Sequence, residues 1–231
     1  MRIVLVPGFT QTATSWSGVR EVVREVAEVT ALHVPLHATF EATAAAIGAE
    51  GGEGVYVGYS MGGRLCLRLA LDRPELVRAL VLISASPGLA DPKERAARVD
   101  ADEKLARVVE RDGVDAFLQT WLAQPMFASV PSDAPGLAER RRLRPEYLAG
   151  CLRVLGTGSM QPLWDRLSEL QMPVALVTGK QDEKFERIAA NMLQRIGNNA
   201  THVRLDGGHA VPLEQPAALG DFVVAFASGH G

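Results

Sequence analysis

Cysteine is scarce in this sequence, and neither sign of charge dominates. The 231 residues include only Cys66 and Cys151, too few for a disulfide framework. No C-x-x-C spacing or His/Cys cluster offers a metal site, so we expect no metal and no cofactor. The 24 basic and 27 acidic residues give a formal net charge of −3. This balance indicates neither nucleic acid nor a membrane surface as a partner.

Long apolar runs are also absent. No run reaches the roughly 18 residues that a transmembrane helix requires. The N-terminal MRIVLVPGF is broken at Pro7-Gly8, too early for a signal peptide. With 47% hydrophobic and 22% charged residues, the composition is that of a globular protein with a large core. We therefore expect a cytoplasmic protein, either a monomer or a weak homo-oligomer, with a small-molecule partner.

Short apolar runs alternate with helical patterns along the chain. Continuous apolar runs are typical of strands in a parallel sheet that helices cover on both faces. Apolar residues at helical spacing lie between them, as from Trp16 to Val26 and from Phe185 to Ile196. The alternation predicts an α/β fold with a doubly wound, mostly parallel sheet. The predicted strands are Ile3–Val6, Val29–Val34, Val55–Val57, Leu80–Ser84, Val174–Thr178 and Thr201–Leu205.

One segment, from Gly88 to about Pro162, interrupts this alternation with charged helical sequence and no strand signal. An insertion after a strand lies above the crevice where open α/β sheets bind ligands, so a helical lid is the favoured interpretation. The alternative is a helical appendage without a role in the site. The predicted division is a core of residues 1–87 and 163–231, with a lid of residues 88–162.

A nucleophile elbow is predicted at Gly58-Tyr59-Ser60-Met61-Gly62, which follows the apolar run VYV and opens a helical pattern. Such a sharp turn holds the serine at its apex, and small residues two positions away let the neighbouring backbone pass. The motif G-x-S-x-G alone is weak, and a chance serine turn is the alternative. The strand before it and the helix after it favour the elbow.

A serine of this kind needs an imidazole to take its proton and a carboxylate to orient the imidazole. Asp182 and His209 follow the strands VALVT and HVRL in the expected order, acid before histidine. Alternatively, Asp182 caps the next helix, and His209 is an ordinary loop histidine. Asp206 is a competing acid, only three residues before His209. The other histidines, His33, His37, His202 and His230, do not occupy matching strand ends.

An oxyanion hole would require two backbone N–H groups. One comes from the residue after the nucleophile, and the other from the loop after the first core strand. Met61 and Phe9 occupy these positions, and Gly8 lets the second loop pass close to the elbow. Phe9 could equally pack against the core, and the two roles are compatible.

Arginines are frequent in the predicted lid and usually mark a solvated helix face. Arg64, one turn after Ser60, is different, and several inward-pointing arginines would form a pocket for a ligand with more than one carboxylate. Cys66 lies on the same helix, where apolar packing is favoured over reactivity. The lid arginines considered are Arg95, Arg98, Arg140, Arg141, Arg142 and Arg144.

These residues resemble the α/β-hydrolase superfamily and, within it, the 2-succinyl-6-hydroxy-2,4-cyclohexadiene-1-carboxylate synthases of menaquinone biosynthesis. The similarity extends over nearly the whole chain, and its lid segments are the most specific part. The segments that carry it are Gly58–Arg64, Pro87–Leu89 with Glu94–Arg98, Trp121–Ser129, Gly156–Trp164 and Gly179–Phe185.

The resemblance implies an α/β-hydrolase fold that lacks the first two strands and carries a helical lid. It also implies a lyase, which abstracts a ring proton from a cyclohexene polycarboxylate and eliminates pyruvate without consuming water. The roles that it implies are a triad of Ser60, Asp182 and His209, oxyanion amides of Phe9 and Met61, and substrate contacts from Tyr59, Arg64, Arg98, Trp121 and Arg140, with Arg142 as a rival to Arg140.

The sequence departs from this family at several places. Pro7-Gly8 replaces the usual His-Gly, the loop after the second strand is shortened, and the segment after His209 lacks a second histidine. A carboxylesterase or thioesterase with the same triad is therefore the alternative function. A non-catalytic binding protein on this fold is the third possibility.

Overall fold

Six strands form one sheet, as the apolar runs predict. The computed structural model describes residues 1–229, so His230 and the end of the tail lie outside the described part. The strand order is β2-β1-β3-β4-β5-β6, and every pairing among the described residues is parallel. The strands are β1 (Arg2–Val6), β2 (Glu28–Ala31), β3 (Gly54–Tyr59), β4 (Val77–Ile83), β5 (Val174–Gly179) and β6 (Ala200–Leu205).

Helices connect the strands, and several boundaries differ from the sequence expectation, among them the start of β4 at Val77 rather than Leu80. The strand β2 ends at Ala31 rather than Val34. The first helix ends at Val23, so Val26 is exposed instead of continuing an apolar stripe. The helices are α1 (Ser17–Val23), α2 (Phe40–Gly51), α3 (Met61–Asp72), α4 (Pro92–Leu122), α5 (Leu137–Arg140), α6 (Pro145–Leu155), α7 (Glu183–Ile196), α8 (Val211–Glu214) and α9 (Pro216–Ser228).

Both faces of the sheet are buried, because successive strand residues point to opposite sides. In β1, Ile3 and Leu5 pack towards α1 and α9, while Val4 and Val6 pack towards α2 and α3. The two edge strands are the exception. Residues of β2 and β6 are largely half-buried, since an edge strand has a neighbour on one side only.

The segment between β4 and β5 carries α4, α5 and α6 and, within residues 88–162, no strand. Helix α4 coincides with the charged stretch noted in the sequence and bends at Gly113, whose φ is 82°. Its inner side packs against α6 through a separate apolar cluster that includes Phe117 and Leu148. Within residues 1–229 we find no helix with the length and apolar character needed to cross a membrane.

Candidate active site

Ser60 lies at the sharp turn between β3 and α3, with φ 51° and ψ −108°, a strained conformation for a non-glycine residue. Close backbone contacts fix this turn. A side chain at Gly62 would place its Cβ 2.2 Å from the carbonyl oxygen of Val6, and one at Gly58 would lie 2.6 Å from the Cα of Gly63. The two glycines of the motif are therefore required by the packing of the elbow against β1 and α3.

His209 and Asp182 both reach this serine from the carboxyl ends of strands. His209 Nε2 lies 3.3 Å from Ser60 Oγ, and His209 Nδ1 lies 2.7 Å from Asp182 Oδ2. The imidazole is buried and packs against Phe185, with ring centroids 4.6 Å apart. Ser60 and His209 are 149 residues apart in the sequence, and Asp182 and His209 are 27 residues apart. The fold brings the three side chains into one continuous Ser-His-Asp arrangement.

The structure also places the alternative acid and one alternative histidine considered for the triad, and the capping role of Asp182. Asp206 forms an ion pair with Lys180 at 2.7 Å, on the outer side of the loop. His202 Nε2 lies 2.8 Å from Thr178 Oγ1, between β6 and β5. Asp182 does cap α7, because its Oδ1 accepts the Phe185 amide at 3.4 Å. One carboxylate oxygen of Asp182 therefore caps α7, and the other contacts His209.

Glu214 holds the loop that carries His209, and sequence reasoning missed it. Its Oε1 accepts the Ala210 amide at 2.9 Å, and its Oε2 accepts the Gly208 amide. One carboxylate thus bridges the residues on either side of the histidine. The signal was present in the sequence as a glutamate five residues after His209, in the segment where a second histidine was expected.

The predicted oxyanion positions lie beside Ser60. Met61 is the first residue of α3, so its N–H has no acceptor within the helix. Phe9 lies on the loop after β1, and Phe9 and Met61 both line the cavity that contains Ser60. The Phe9 ring also packs edge-on against Trp121, with centroids 5.1 Å apart. The two roles considered for Phe9 are therefore compatible in the structure.

A cavity of about 750 Å³ lies above the carboxyl ends of the strands, between the core and the helical segment. Of the arginines in the helical segment of residues 88–162, Arg98 and Arg140 line it, as does Arg64 of α3. Tyr59 and Trp121 contribute aromatic wall. All five residues predicted to contact the substrate therefore line this cavity: Tyr59, Arg64, Arg98, Trp121 and Arg140.

Arg64 and Arg98 share a buried acid, Asp102. Arg98 Nε donates to both carboxylate oxygens of Asp102 at 2.9 Å, and Asp102 is only 1% exposed. Burial raises the pKa of Asp102, against the opposing charges of Arg98 and Arg64. Burial, followed by the charge of Arg98, lowers the pKa of Arg64 to about 10, whereas Asp102 raises it. Asp102 thus balances part of the positive charge at this end of the cavity.

Arg140 lies at a separate part of the cavity wall and is only 2% exposed. Within residues 1–229 its Nε and Nη2 atoms have no hydrogen-bond partner. Burial lowers its pKa, and burial also raises the pKa of neighbouring Tyr59. A buried guanidinium without a carboxylate partner is costly, and an anionic ligand would relieve that cost.

The remaining arginines of residues 88–162 that were considered are not among the residues that line this cavity. Arg141 pairs with Asp115 at 3.7 Å, and Arg144 pairs with Glu146 at 3.5 Å, all on the surface. Arg142, the rival to Arg140, lines a second cavity. Sequence spacing alone could not separate these neighbours, because Arg140 ends the single turn of α5 and the others lie in the connection to α6.

Neither cysteine takes part in the site. Cys66 is buried on α3, and burial raises the pKa of its thiol, as expected for a packing residue. Cys151 lines the cavity on α6 and is also buried and free. In the described part of the chain, no cluster of three His, Cys, Asp or Glu side chains is arranged to hold a metal ion.

Comparison with known proteins indicates the same kind of fold as the structure does. The model of the alpha/beta hydrolase family matches residues 3–222. The chain belongs to the alpha/beta hydrolase family. This membership accounts for the elbow, the parallel sheet and the order of acid and histidine in one step.

Several relatives of this alpha/beta hydrolase share a name. A Bacillus subtilis (strain 168) protein provisionally named 2-succinyl-6-hydroxy-2,4-cyclohexadiene-1-carboxylate synthase is 40% identical over 175 residues, which cover 74% of this chain and 64% of that protein. The synthase of that name from Enterobacter sp. (strain 638) is 28% identical, over 71% of this chain and 62% of its own. The matches span slightly less than two thirds of these relatives.

Solved structures extend the likeness over the whole fold. MenH from S. aureus superposes with a TM-score of 0.91 at 25% identity, covering 100% of this chain and 94% of that one. The enol-lactonase from Burkholderia xenovorans LB400 superposes with a TM-score of 0.77 at 18% identity, covering 98% and 91%. The second likeness is one of fold alone.

Proposed function

We propose that this alpha/beta hydrolase is a lyase that eliminates pyruvate from 2-succinyl-5-enolpyruvyl-6-hydroxy-3-cyclohexene-1-carboxylate. The product is 2-succinyl-6-hydroxy-2,4-cyclohexadiene-1-carboxylate, as in the names of its relatives. We place the reaction in the cytoplasm and assign the helical segment of residues 88–162 the role of a lid. The observation that carries the proposal is the presence of three arginines in the cavity of Ser60.

The charge of the cavity supports a substrate with several carboxylates. Arg64 and Arg98 lie around one buried acid, and Arg140 lies apart without one. Guanidinium groups match carboxylates in shape and charge, and buried ones gain most from a charged ligand. A simple ester carries no such charges and would leave Arg140 without a charged partner.

The triad supplies the base. In the proposed first step, His209 Nε2 accepts the proton of Ser60 Oγ, and the oxygen removes a proton from the ring of the substrate. Asp182 orients the imidazole through its Nδ1 and stabilises the charge that it acquires. The amides of Phe9 and Met61 stabilise the negative charge that develops on the substrate.

The second step balances the reaction. The electron pair of the broken C–H bond forms a new ring double bond, the existing ring double bond shifts by one position, and the C–O bond to the enolpyruvyl group breaks. The leaving group departs with the C–O electron pair as the enolate of pyruvate, and its methylene carbon takes up the proton held by His209 to give pyruvate. Since no acyl group is transferred, Ser60 carries a proton and forms no ester bond, in contrast to an esterase or thioesterase with the same triad.

The deciding experiment combines product analysis with a search for a covalent intermediate. We expect pyruvate release from the cyclohexene substrate, no adduct on Ser60 by mass spectrometry after quenching, and no solvent ¹⁸O in the cyclic product. p-Nitrophenyl esters serve as the comparison and should turn over slowly. Rapid ester hydrolysis without any pyruvate would assign the triad to the alternative hydrolase.

Substitution of the triad tests the base itself. Ser60→Ala should lower kcat by about 10³-fold or more, His209→Ala should have a similar effect, and Asp182→Asn a milder one, because triad members act as a unit. Pyruvate release is the measurement. A loss of less than tenfold in Ser60→Ala would remove the serine from the mechanism.

A further inference from the structure

A second cavity lies beside the first and has no part in the proposed reaction. It measures about 530 Å³ and lies between the segment after β2 and the first turn of α6. This volume is within the range of small-molecule sites in proteins. We infer that this cavity is a second binding site, for a small carboxylate with an apolar, aromatic body.

Two arginines and one acid are the charged groups of the second cavity. His33, Arg142 and Arg144 line it together with one acid, Glu146. Glu146 lies 3.5 Å from Arg144, so that pair is partly neutralised. Arg142, in contrast, makes no ion pair with any residue in the range 1–229 and is exposed to the cavity. The charge that remains for a ligand is therefore positive, and it is centred on Arg142.

The walls of the second cavity are apolar and held in place. Val34, Leu36 and Leu143 line it beside the ring of Tyr147. The Tyr147 hydroxyl donates to the carbonyl oxygen of Val34 at 2.8 Å, which ties α6 to the segment after β2. Since the hydroxyl proton is used in this bond, Tyr147 offers a ligand its ring rather than a hydrogen-bond donor. An aromatic body fits these walls, and a carboxylate fits Arg142.

Gln11 connects the two cavities, because its side chain lines both. It is 8% exposed, and its Oε1 has no hydrogen-bond partner within residues 1–229. The backbone N–H of Gln11 donates to the carbonyl oxygen of Gly8 at 3.1 Å, in the loop that also carries the backbone N–H of Phe9. A ligand against Gln11 therefore contacts the loop beside Ser60, and its occupancy should alter affinity in the main cavity.

Calorimetric titration with 1-naphthoate tests the site without reference to the reaction. We expect Arg142→Ala to weaken 1-naphthoate binding by roughly five- to twentyfold, below the effect of a fully buried charged pair because Arg142 is exposed. The matched control is Arg141→Ala, the adjacent surface arginine that pairs with Asp115. It should bind as the wild type does. The neutral 1-naphthamide should bind weakly to all three proteins.

Arg98→Ala locates the probe, since Arg98 lines only the main cavity. Unchanged 1-naphthoate affinity in Arg98→Ala supports the second site, and a lost affinity would place the probe in the main cavity and overturn the inference. Equal affinity in Arg142→Ala and wild type would overturn it as well. For the coupling, a 1-naphthoate concentration that saturates the wild type should change the affinity for succinate in the wild type and in Arg141→Ala, and less in Arg142→Ala. No change in the wild type would refute the link through Gln11.

Discussion

The carboxylate of Asp182 serves two partners at once. One oxygen accepts a backbone amide at the start of α7, and the other orients His209. The cap fixes the carboxylate without using the oxygen that the histidine requires. A helix start is therefore a favourable place for the acid of a triad, because the helix backbone supplies the positioning.

Glu214 should contribute to the rate through His209. Glu214→Gln leaves only one oxygen to accept, so one of the amides of Gly208 and Ala210 loses its partner. Loss of a charged hydrogen bond costs about 1.5–3 kcal/mol, and we expect kcat to fall by about tenfold or more with little change in KM.

The control for Glu214 is Glu186→Gln, the same chemical change at an acid that pairs with Arg204 away from the cavity. It should keep the wild-type kcat. Steady-state kinetics of pyruvate release measure both variants. A Glu214→Gln enzyme with raised KM and normal kcat would contradict a role in holding the histidine.

Arg64 predicts an alkaline limit to binding. Its pKa of about 10, against 12.5 for an ordinary arginine, means that the guanidinium loses its charge as the pH rises through 10. KM should therefore increase there. Because the Asp102 carboxylate favours the charged form, Asp102→Asn should move the increase to lower pH.

KM measured from pH 8 upwards checks this prediction. Glu103→Gln is the control, since Glu103 neighbours Asp102 in sequence but pairs with Arg153 on the outer surface of α4. Its profile should match that of the wild type. A profile unchanged in Asp102→Asn would separate Asp102 from the charge state of Arg64.

Arg98 tests carboxylate recognition by the helical segment. Removal of a charged hydrogen-bond donor costs about 1.5–3 kcal/mol, and a side chain that is 39% exposed belongs at the lower end. We expect Arg98→Ala to reduce kcat/KM by roughly tenfold. Arg98→Lys should restore little, because a point charge cannot replace the guanidinium fork. A fully active Arg98→Ala enzyme would show that Arg98 is an ordinary surface residue of α4 without a role in carboxylate recognition.

At the scale of elements, strand ends determine the site. Ser60 follows β3, Asp182 comes three residues after the end of β5, and His209 follows β6. In a parallel sheet these ends lie at one edge, where the loop after β1 also brings Phe9. The helical segment covers the same edge because it starts after β4. Residues from distant parts of the chain therefore converge without any long-range signal in the sequence.

The bend in α4 offers a prediction for an element. Gly113 has φ 82° and ψ 173°, a conformation nearly restricted to glycine, although no atom would obstruct a Cβ there. Gly113→Ala should therefore lower the free energy of unfolding by about 1–3 kcal/mol through backbone strain alone.

The same variant should raise KM, because the part of α4 after the bend carries Trp121 into the cavity wall. Thermal unfolding and steady-state kinetics provide the two measurements, with Asp112→Ala, an exposed neighbour, as the control. Wild-type stability in Gly113→Ala would show that the bend can straighten without cost.

On the scale of the whole molecule, charge is distributed unevenly. The net charge of −3 gave no indication of a ligand, yet three arginines face one cavity of about 750 Å³. Most other arginines pair with acids on the surface, as Arg153 does with Glu103 and Glu110. A small net charge therefore coexists with a cavity that three arginines line, and this cavity forms only when the chain folds.

The strands, the elbow and the order of acid and histidine could be read from the sequence, because they follow from local patterns and fixed chain order. Period and turn chemistry act over a few residues, and the two glycines flanking Ser60 are specific enough to be recognised. The same logic predicted Asp182 and His209, and the structure places these two side chains 2.7 Å apart.

Only the tertiary structure decided which side chains share a cavity. Arg140 is the last residue of α5 and Arg142 lies in the turn that follows, and the two residues line different cavities. Asp102 pairs locally with Arg98, but only the fold brings the charge of Arg64 on α3 near this acid. Orientation about a short helix and burial against distant residues are set by packing, which no local pattern encodes.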